Sequence, residues 1–398
     1  MAERLAIDGG KPVRESCLVF GSPDIRQEEI NEVVDSLKSG WIGTGPKVAR
    51  FEQAFREYIG CGFAKAVNSC TAGMHLGLLV AGIKPGDEVI TTPMTFASTA
   101  NVILHAGAVP KFVDCERETM NICPEGIEKA VSGKTRAIIP VHLAGRPCNM
   151  DEISRIAEEN GLVVMEDAAH AIEAKYKGKK IGTISPLTAF SFYVTKNVVC
   201  GEGGMVATGN GEWAELIEKY ALHGLSKGAW KRYSDDGFRH YEVVFPGYKY
   251  NMMDLQAALG LHQLERAEEN LKKREKVWKR YDEAFGELPL ELPAMPEENT
   301  RHARHLYTPL LKLEELNKNR DFVQQALHKE NIGTGIHFVS IHLHKYYRER
   351  FGFKENGFPN AKFISDRTIS LPLSPKLSDE DVEDVIQAVS KVLGNCKK

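Results

Sequence analysis

Short apolar runs alternate with amphipathic stretches along the first half of the chain. The runs that have the length and composition of buried strands are residues 64–67, 89–91, 109–113, 137–141 and 162–165. The stretches with helical spacing between them are residues 72–81, 98–106, 124–131 and 150–160. Strands separated by helices of this length predict an α/β fold, with a mostly parallel sheet and helices on both faces.

The second half of the chain follows a different pattern. Residues 223–246 are polar and aromatic-rich without clear periodicity, and so long an irregular stretch favours a functional or interface role. A long helix is predicted over 254–284, followed by strands 305–311 and 334–338 and helices 320–330 and 378–393. We therefore predict a large domain over residues 1–265, including an N-terminal arm. A smaller α+β domain, with the long bridging helix, covers residues 266–398.

Composition narrows the class of protein. Lys and Arg total 51 against 54 Asp and Glu, a formal net charge of −3, which does not favour nucleic acid or an anionic membrane as a partner. No apolar run approaches 18 residues, and the first ten residues lack the apolar core of a signal peptide. The eight cysteines form no C-x-x-C pair, which predicts reduced thiols and no zinc framework. We expect a soluble cytoplasmic enzyme with no metal site.

One lysine lies between two apolar runs. The run 189–194 leads into Lys196, and the glycine-rich residues 201–204 lead into a second run, 205–208. This pattern predicts that Lys196 lies on a loop between two strands. Desolvation there would favour the neutral amine, which can attack a carbonyl carbon to form a Schiff base. A lysine taken alone is far more often an ordinary surface residue.

Two upstream features change that assessment. Asp167 follows the apolar run 162–165, at the end of a strand where ligands bind in open α/β sheets. Its carboxylate could pair with the protonated pyridine nitrogen of pyridoxal phosphate (PLP), or could simply cap the next helix. Residues 67–76 indicate a strand end, a polar turn and a helix start, which suit either a phosphate site or a plain helix cap.

The order of these features resembles one known family. The segments that carry the resemblance are N-S-C-T-A-G-M-H-L (68–76), P-M-T-F-A-S-T-A-N (93–101), E-D-A-A-H-A (166–171), S-F-Y-V-T-K-N (191–197), G-E-G-G-M-V (201–206) and G-Y-K-Y-N-M-M-D-L-Q-A-A-L-G (247–260). They resemble the DegT/DnrJ/EryC1/StrS group of sugar aminotransferases, which are PLP-dependent enzymes of fold type I. The resemblance runs from about residue 40 to residue 375, and it implies a seven-stranded sheet, a smaller C-terminal domain and PLP as cofactor.

The resemblance also implies roles for individual residues. Lys196 and Asp167 would be catalytic, the aspartate holding the ring nitrogen protonated. The other residues implied to contact the cofactor are Thr71, Ala72, Phe96, His170, Ser191 and, from a partner subunit, Asn251. His337 and Lys249 would contact the substrate. The residues alone leave simpler readings open, because Phe96 could be core, His337 a structural histidine, Ser191 a strand hydroxyl and Asn251 part of a surface turn.

The function implied is transfer of an amino group to a keto-sugar nucleotide. The donor would be an amino acid, with glutamate expected, and the product an amino sugar for polysaccharide or glycoconjugate biosynthesis. The Lys-Tyr-Asn turn at 249–251 resembles that of the C4-transferring members of the family, which implies transfer to C4. A homodimer with shared active sites is also implied. The alternatives are transfer to C3, a non-sugar ketone such as a cyclitol, and a non-catalytic regulatory homologue. Dehydratases of this fold replace the lysine with histidine, and no G-x-G-x-x-G follows the first strand to suggest a Rossmann oxidoreductase.

Overall fold

The computed structural model describes residues 3–226 and 241–398, so most of the aromatic-rich stretch 223–246 lies outside the described residues. The helices are α1 (Gln27–Ser39), α2 (Pro46–Ile59), α3 (Cys70–Val80), α4 (Ala97–His105), α5 (Pro124–Ala130), α6 (Met150–Asn160), α7 (Gly211–Ala221), α8 (Asp254–Glu265), α9 (Ala267–Phe285), α10 (Arg320–Lys329), α11 (Lys345–Phe351), α12 (Pro359–Arg367) and α13 (Asp379–Cys396). The strands are β1 (Phe63–Val67), β2 (Glu88–Thr91), β3 (Val109–Phe112), β4 (Thr135–Ile139), β5 (Val163–Asp167), β6 (Lys175–Tyr176), β7 (Lys179–Lys180), β8 (Leu187–Ser191), β9 (Gly204–Thr208), β10 (Leu290–Glu291) and β11 (Leu310–Leu311).

Seven strands form the central sheet, in the order β1-β9-β8-β5-β4-β2-β3. Strands β8, β5, β4, β2 and β3 pair in parallel. Strand β9 runs antiparallel to both of its neighbours, β1 and β8. The predicted fold, a mostly parallel seven-stranded sheet with helices on both faces, is therefore confirmed. The single reversed strand follows directly from the hairpin that joins β8 to β9.

Both faces of the sheet are buried. Phe190 of β8 and Met205 of β9 belong to an apolar cluster that includes Phe55 of α2, and the rings of Phe55 and Phe190 meet edge to face at 5.0 Å. Their strand neighbours Ala189 and Val206 belong to a second cluster, which contains the apolar side chains of α3. Successive residues of a strand point to opposite faces, so the two clusters cover the two sides of one sheet.

The long helix predicted over 254–284 is instead two helices, α8 and α9, which meet at Arg266. The guanidinium of Arg266 donates to the buried carboxylate of Glu29 on α1, and Gln263 donates to the same carboxylate at 2.9 Å. These contacts lie where the backbone of Arg266, with φ −95° and ψ 2°, departs from helical geometry. Continuous helical spacing on both sides concealed the break from sequence reasoning.

The strands predicted over 305–311 and 334–338 are mostly absent as regular strands. Only Leu310–Leu311 is a strand, paired with β10. Elsewhere each segment makes single bridges to the residues before α13, such as Tyr307 to Leu371 and Gly335 to Ser370. Apolar content predicted these strands, but a ladder also needs a partner that runs alongside for several residues, which these segments lack.

The C-terminal region has its own apolar core, built from α9, α10 and α13. Leu5, near the N-terminus, is buried in this core. The predicted domain boundary at 265/266 falls where α8 meets α9, and the division into domains stays a prediction. Within residues 3–226 and 241–398, no helix combines the length and the apolar character required to cross a bilayer.

Asp254 joins α8 to the start of α2. Its buried carboxylate accepts the backbone N–H groups of Gly45 at 2.8 Å, Lys47 at 3.1 Å and Val48 at 3.0 Å. These are the donors that the first turn of a helix leaves without partners. One side chain therefore caps α2 and fixes the glycine-rich segment 43–46 against the residues that precede α8.

We expect Asp254→Ala to lower the free energy of unfolding by about 3 kcal/mol, because it leaves three buried N–H donors without an acceptor. Denaturant titration followed by circular dichroism measures this change. Asp321→Ala, in the exposed first turn of α10, is the matched control and should leave the unfolding midpoint nearly unchanged. Equal effects of the two substitutions would contradict the role assigned to Asp254.

Candidate active site

A cavity of about 510 Å³ opens at the carboxyl ends of β2, β4 and β5, beside the start of α3 and the loop between β8 and β9. The sequence-predicted residues that line it are Thr71, Phe96, Asp167, His170, Ser191, Lys196 and His337. They come from segments up to 266 residues apart, since the first is residue 71 and the last is residue 337. The sheet brings them together because parallel strands end at the same edge.

Lys196 lies on the hairpin loop between β8 and β9, as predicted. Its backbone N–H donates to the carbonyl of Tyr193 at 2.8 Å, and Cys200 N–H donates to the carbonyl of Phe192 at 2.8 Å, so the loop is closed on itself. Burial lowers the pKa of the Lys196 amine to about 8, against the opposing influence of Cys70 and Asp167. More of this amine is neutral near pH 7 than is the case for an exposed lysine.

Asp167 ends β5 inside the protein. One carboxylate oxygen accepts from the hydroxyl of Thr99 at 2.8 Å, and the other accepts from Ala169 N–H at 3.1 Å. Burial nevertheless raises the pKa of Asp167, and the two hydrogen bonds and the nearby Lys196 oppose that shift only in part. A cation placed in the cavity beside this carboxylate would keep it ionised.

The first turn of α3 faces the same cavity. Ser69 caps the helix by accepting Ala72 N–H at 3.1 Å, which leaves the N–H groups of Cys70 and Thr71 outside the helix's own bonding. Cys70 and Thr71 both line the cavity, whereas Ala72 is buried behind them with its N–H already used. Free N–H groups at a helix start, with the positive end of the helix dipole, suit a phosphate. The phosphate-binding role predicted for Ala72 stays a prediction.

Gly204, the first residue of β9, allows the start of α3 to lie this close to the sheet. A Cβ atom at residue 204 would fall 2.4 Å from the carbonyl carbon of Ser69 and 2.5 Å from the nitrogen of Cys70. Both atoms belong to the backbone, so a rotated side chain could not relieve the contact. The glycine therefore sets the distance between the lysine hairpin and the helix start.

His170 is oriented by the backbone. Its Nδ1 accepts Ala144 N–H at 3.2 Å, so the neutral ring carries its proton on Nε2. Burial holds the pKa of His170 well below its ordinary value, and the charge of Lys196 acts in the same direction. The ring lines the cavity and so offers it a neutral N–H donor.

Aromatic rings form one wall of the cavity. The ring of Phe96, which is 61% exposed, lies 5.9 Å from that of Phe338, and Phe338 stacks on His170 at 6.1 Å. Nδ1 of His337 is 2.7 Å from the hydroxyl of Ser370, and burial lowers the pKa of His337 to about 4, so this ring is neutral. The exposed face of Phe96 is available to a flat ring in the cavity.

Two predicted residues, Lys249 and Asn251, lie outside this cavity. They line a second, more open cavity of about 630 Å³, where the Asn251 amide donates to the hydroxyl of Thr44 at 2.7 Å. Ser69 and Glu202 line both cavities, so the two adjoin. The roles predicted for Lys249 and Asn251 concern a partner subunit and stay predictions.

Sequence reasoning missed several residues of the site. Thr99, the hydroxyl partner of Asp167, lies one helical turn after Phe96 in the segment 93–101. Phe338 follows His337 directly, and Glu202 lies in the glycine-rich run before β9. Helical spacing could have identified Thr99, because residues i and i+3 share a face. No sequence signal marks Phe338 or Glu202 as facing the cavity.

The residues in the cavity fit PLP. The N–H groups at the start of α3 suit its phosphate, the Asp167 carboxylate suits its protonated ring nitrogen, and the Lys196 amine suits its aldehyde. An amine on a hairpin loop, a buried carboxylate at a strand end and an anion site at a helix start, all on one mostly parallel sheet, define the site of a PLP-dependent enzyme of fold type I.

The chain belongs to the DegT/DnrJ/EryC1/StrS aminotransferase family, whose model matches residues 23–390. It is 54% identical to the uncharacterised protein MJ1066 of Methanocaldococcus jannaschii, over 96% of this chain and 99% of that protein. It is 49% identical to the spore coat polysaccharide biosynthesis protein SpsC of Bacillus subtilis, over 96% and 98%. The structure is similar to that of Spr1654 of Streptococcus pneumoniae, a candidate sugar aminotransferase with 34% sequence identity. The match to its PMP form has a TM-score of 0.89 and covers 95% of this chain and 99% of that one. The match to its PLP form has a TM-score of 0.88.

We expect Gly204→Ala to weaken PLP binding by about tenfold or more, because the added methyl group displaces the N–H groups of Cys70 and Thr71. Absorbance titration with PLP measures the affinity. The matched control is Gly209→Ala, where an added Cβ meets nothing within 4 Å, and this variant should bind like the wild type. An unchanged affinity in Gly204→Ala would show that the start of α3 does not hold the phosphate.

Proposed function

We propose that the protein transfers an amino group from an amino acid, with glutamate as the expected donor, to a keto-sugar nucleotide at C4. The observation that carries this proposal is that the Lys196 amine, the Asp167 carboxylate and the start of α3 line one cavity. An amine with a lowered pKa beside a buried carboxylate suits proton transfer at carbon next to a cofactor ring. The product would be an amino sugar for polysaccharide or glycoconjugate biosynthesis.

Each residue has a distinct task in this proposal. When bound, PLP supplies an electron sink for the charge left after a proton leaves the donor's α-carbon. The Lys196 amine would take up that proton and return it. Asp167 would stay ionised and keep the ring nitrogen protonated, while His170 would donate its Nε2 hydrogen to the cofactor. Phe96 and Phe338 would exclude water from the aromatic wall of the cavity.

Two lines of support favour a sugar as the amino acceptor. The relatives include a protein of spore coat polysaccharide biosynthesis and a candidate sugar aminotransferase. The turn of Lys249, Tyr250 and Asn251 beside the second cavity resembles that of the C4-transferring members of the family. Transfer to C3 or to a cyclitol is the alternative within the same chemistry. The intact pair of Lys196 and Asp167 argues against a non-catalytic homologue.

A homodimer with shared active sites is part of the proposal. Lys249 and Asn251 lie in a cavity that adjoins the candidate site but is open to the surface. On α1, Ile30, Val34 and Leu37 expose an apolar stripe at helical spacing, with exposed fractions of 39–57%. An exposed apolar stripe on a helix suits a second copy of the chain. In that arrangement Asn251 of each subunit would serve its partner's site.

We expect Lys196→Ala to lose amino transfer by about a thousandfold or more, because among the described residues that line the cavity Lys196 alone carries an amine. Mass spectrometry measures the rate of amino transfer from glutamate to a panel of acceptors. The panel contains 3-keto sugar nucleotides, 4-keto sugar nucleotides and cyclitol ketones. Lys180→Ala is the matched control, because burial also lowers the pKa of Lys180 to about 8 although it lies outside the cavity.

The same panel separates the outcomes. Amination of 4-keto sugar nucleotides alone supports the proposal, and amination of 3-keto sugars or cyclitols alone corrects the acceptor. A Lys196→Ala protein that aminates at the wild-type rate would refute the role of the lysine.

The shared site is tested by mixing inactive subunits. In co-expressed Lys196→Ala and Asn251→Ala chains, half of the dimers are mixed, and each mixed dimer regains one complete site if Asn251 acts on its partner. We therefore expect about a quarter of the wild-type activity. Lys196→Ala mixed with Asp167→Asn should regain none, because both residues line one cavity of one chain. No recovery in the first mixture would place Asn251 in its own subunit's site.

A further inference from the structure

Asn197, the residue after Lys196, does not line the cavity, and its side chain belongs to a polar network behind the lysine loop. The Asn197 amide nitrogen donates to the carboxylate of Glu173 at 2.8 Å and to the carbonyl of Ala303 at 3.1 Å. The amide oxygen lies 2.9 Å from Nδ1 of His305. Because the amide nitrogen is committed to two acceptors, the oxygen accepts from His305, and the proton of that neutral ring is fixed on Nδ1.

A buried ion pair fixes the far side of this network. Glu173 and Arg274 of α9 are 0% and 1% exposed, and their charged atoms lie 2.6 Å apart. Arg274 also donates to the carbonyl of Arg304 at 3.0 Å and to that of Ala303 at 3.3 Å. The segment that carries His305 is therefore bonded to α9 as well as to Asn197. A buried pair of this kind resists displacement, because separating it would leave a charge in the interior without a partner.

The network continues to the cavity through His305. Its ring lies 4.4 Å from the ring of His170, with the planes 33° apart. The backbone of Ala144 binds both residues, accepting His305 N–H at 3.1 Å and donating to Nδ1 of His170 at 3.2 Å. His305, which does not line the cavity, therefore packs against a ring that does. Burial holds the pKa of both imidazoles well below the ordinary value, so both are neutral.

We propose that Asn197 is a positioning residue that fixes Lys196 and His170 relative to each other. The inference rests on the proposed function, since it assigns a task to a neighbour of the proposed reacting amine. A lysine side chain has several rotatable bonds, and its reactivity depends on a backbone that does not shift under it. The hydrogen bonds of Asn197 fix the backbone next to Lys196 on the side opposite the cavity. Through His305, Asn197 also fixes the ring of His170, the proposed donor to the cofactor. One amide thereby sets the distance between the amine and the N–H donor.

The test measures how much of the bound PLP is joined to the lysine. PLP whose aldehyde has condensed with the Lys196 amine, with loss of water, is fixed by borohydride as a secondary amine. Peptide mass spectrometry then gives the fraction attached at Lys196, and absorbance gives the total PLP bound. In Asn197→Ala we expect the attached fraction to fall at least fivefold at saturating PLP, while the protein still binds PLP through the start of α3.

The matched control is Asn149→Ala. Asn149 caps α6 and accepts the hydroxyl of Tyr176 at 3.1 Å, so its removal also costs side-chain hydrogen bonds, but at a distance from the lysine loop. We expect a lowered melting temperature with an unchanged attached fraction. If Asn197→Ala behaves in the same way as this control, the residue is merely structural and the inference is overturned.

A second pair of variants acts from the other end of the network. His305→Leu removes the donor to Asn197 and should lower the attached fraction about threefold. His305→Gln can donate from its amide to the same oxygen and should restore the fraction to within twofold of the wild type. Equal fractions in these two variants would overturn the inference even if Asn197→Ala does not fold. A wild-type protein with PLP bound but none attached at Lys196 would refute the proposed function itself, and the inference with it.

Discussion

The site depends on the burial of an amine and a carboxylate at the same edge of one sheet. Taking either group out of water disfavours its charged form, which is why the pKa of Lys196 falls and that of Asp167 rises. Each shift prepares its group for a task. A larger fraction of the Lys196 amine is neutral near pH 7. The Asp167 carboxylate needs a cation beside it to stay ionised. Thr99 and Ala169 reduce the free-energy cost of burying the Asp167 carboxylate, because they donate hydrogen bonds to it without neutralising its charge.

The rest of the structure keeps these two groups in place. The sheet supplies the common edge, the apolar clusters on its two faces fix the strands, and Gly204 lets the start of α3 approach within backbone contact. Behind the lysine loop, Asn197 and the pair of Glu173 and Arg274 extend the support into α9. Polar groups buried this deeply are costly without hydrogen-bond partners, so the residues that support the cavity from behind are specific in type and position.

The sequence predicted the large domain well because its periodicity is strong and local. Strand runs and amphipathic helices alternate there, and the ends of parallel strands converge by a general rule, so Lys196, Asp167 and Thr71 could be placed together. His337 follows no strand of this sheet, and only the family resemblance placed it at the site. The break at Arg266 was not predictable, because it accompanies a contact with Glu29 more than 200 residues away along the chain. The strands predicted over 305–311 and 334–338 were mostly wrong for the same reason. Strand pairing depends on a partner that sequence spacing does not reveal, and these segments make only single bridges near residues 307 and 335.

The antiparallel direction of β9 limits where this fold can accept insertions. Two parallel strands must be joined by a long crossover, and crossovers on the surface accept insertions. The lysine turn instead joins two antiparallel neighbours, both of which lie inside the sheet and not at its rim. An extra residue between β8 and Lys196 would move the amine relative to the carboxylate of Asp167. New specificity in proteins built on this plan should therefore arise by lengthening the loops around the opening, while the turn itself keeps its length.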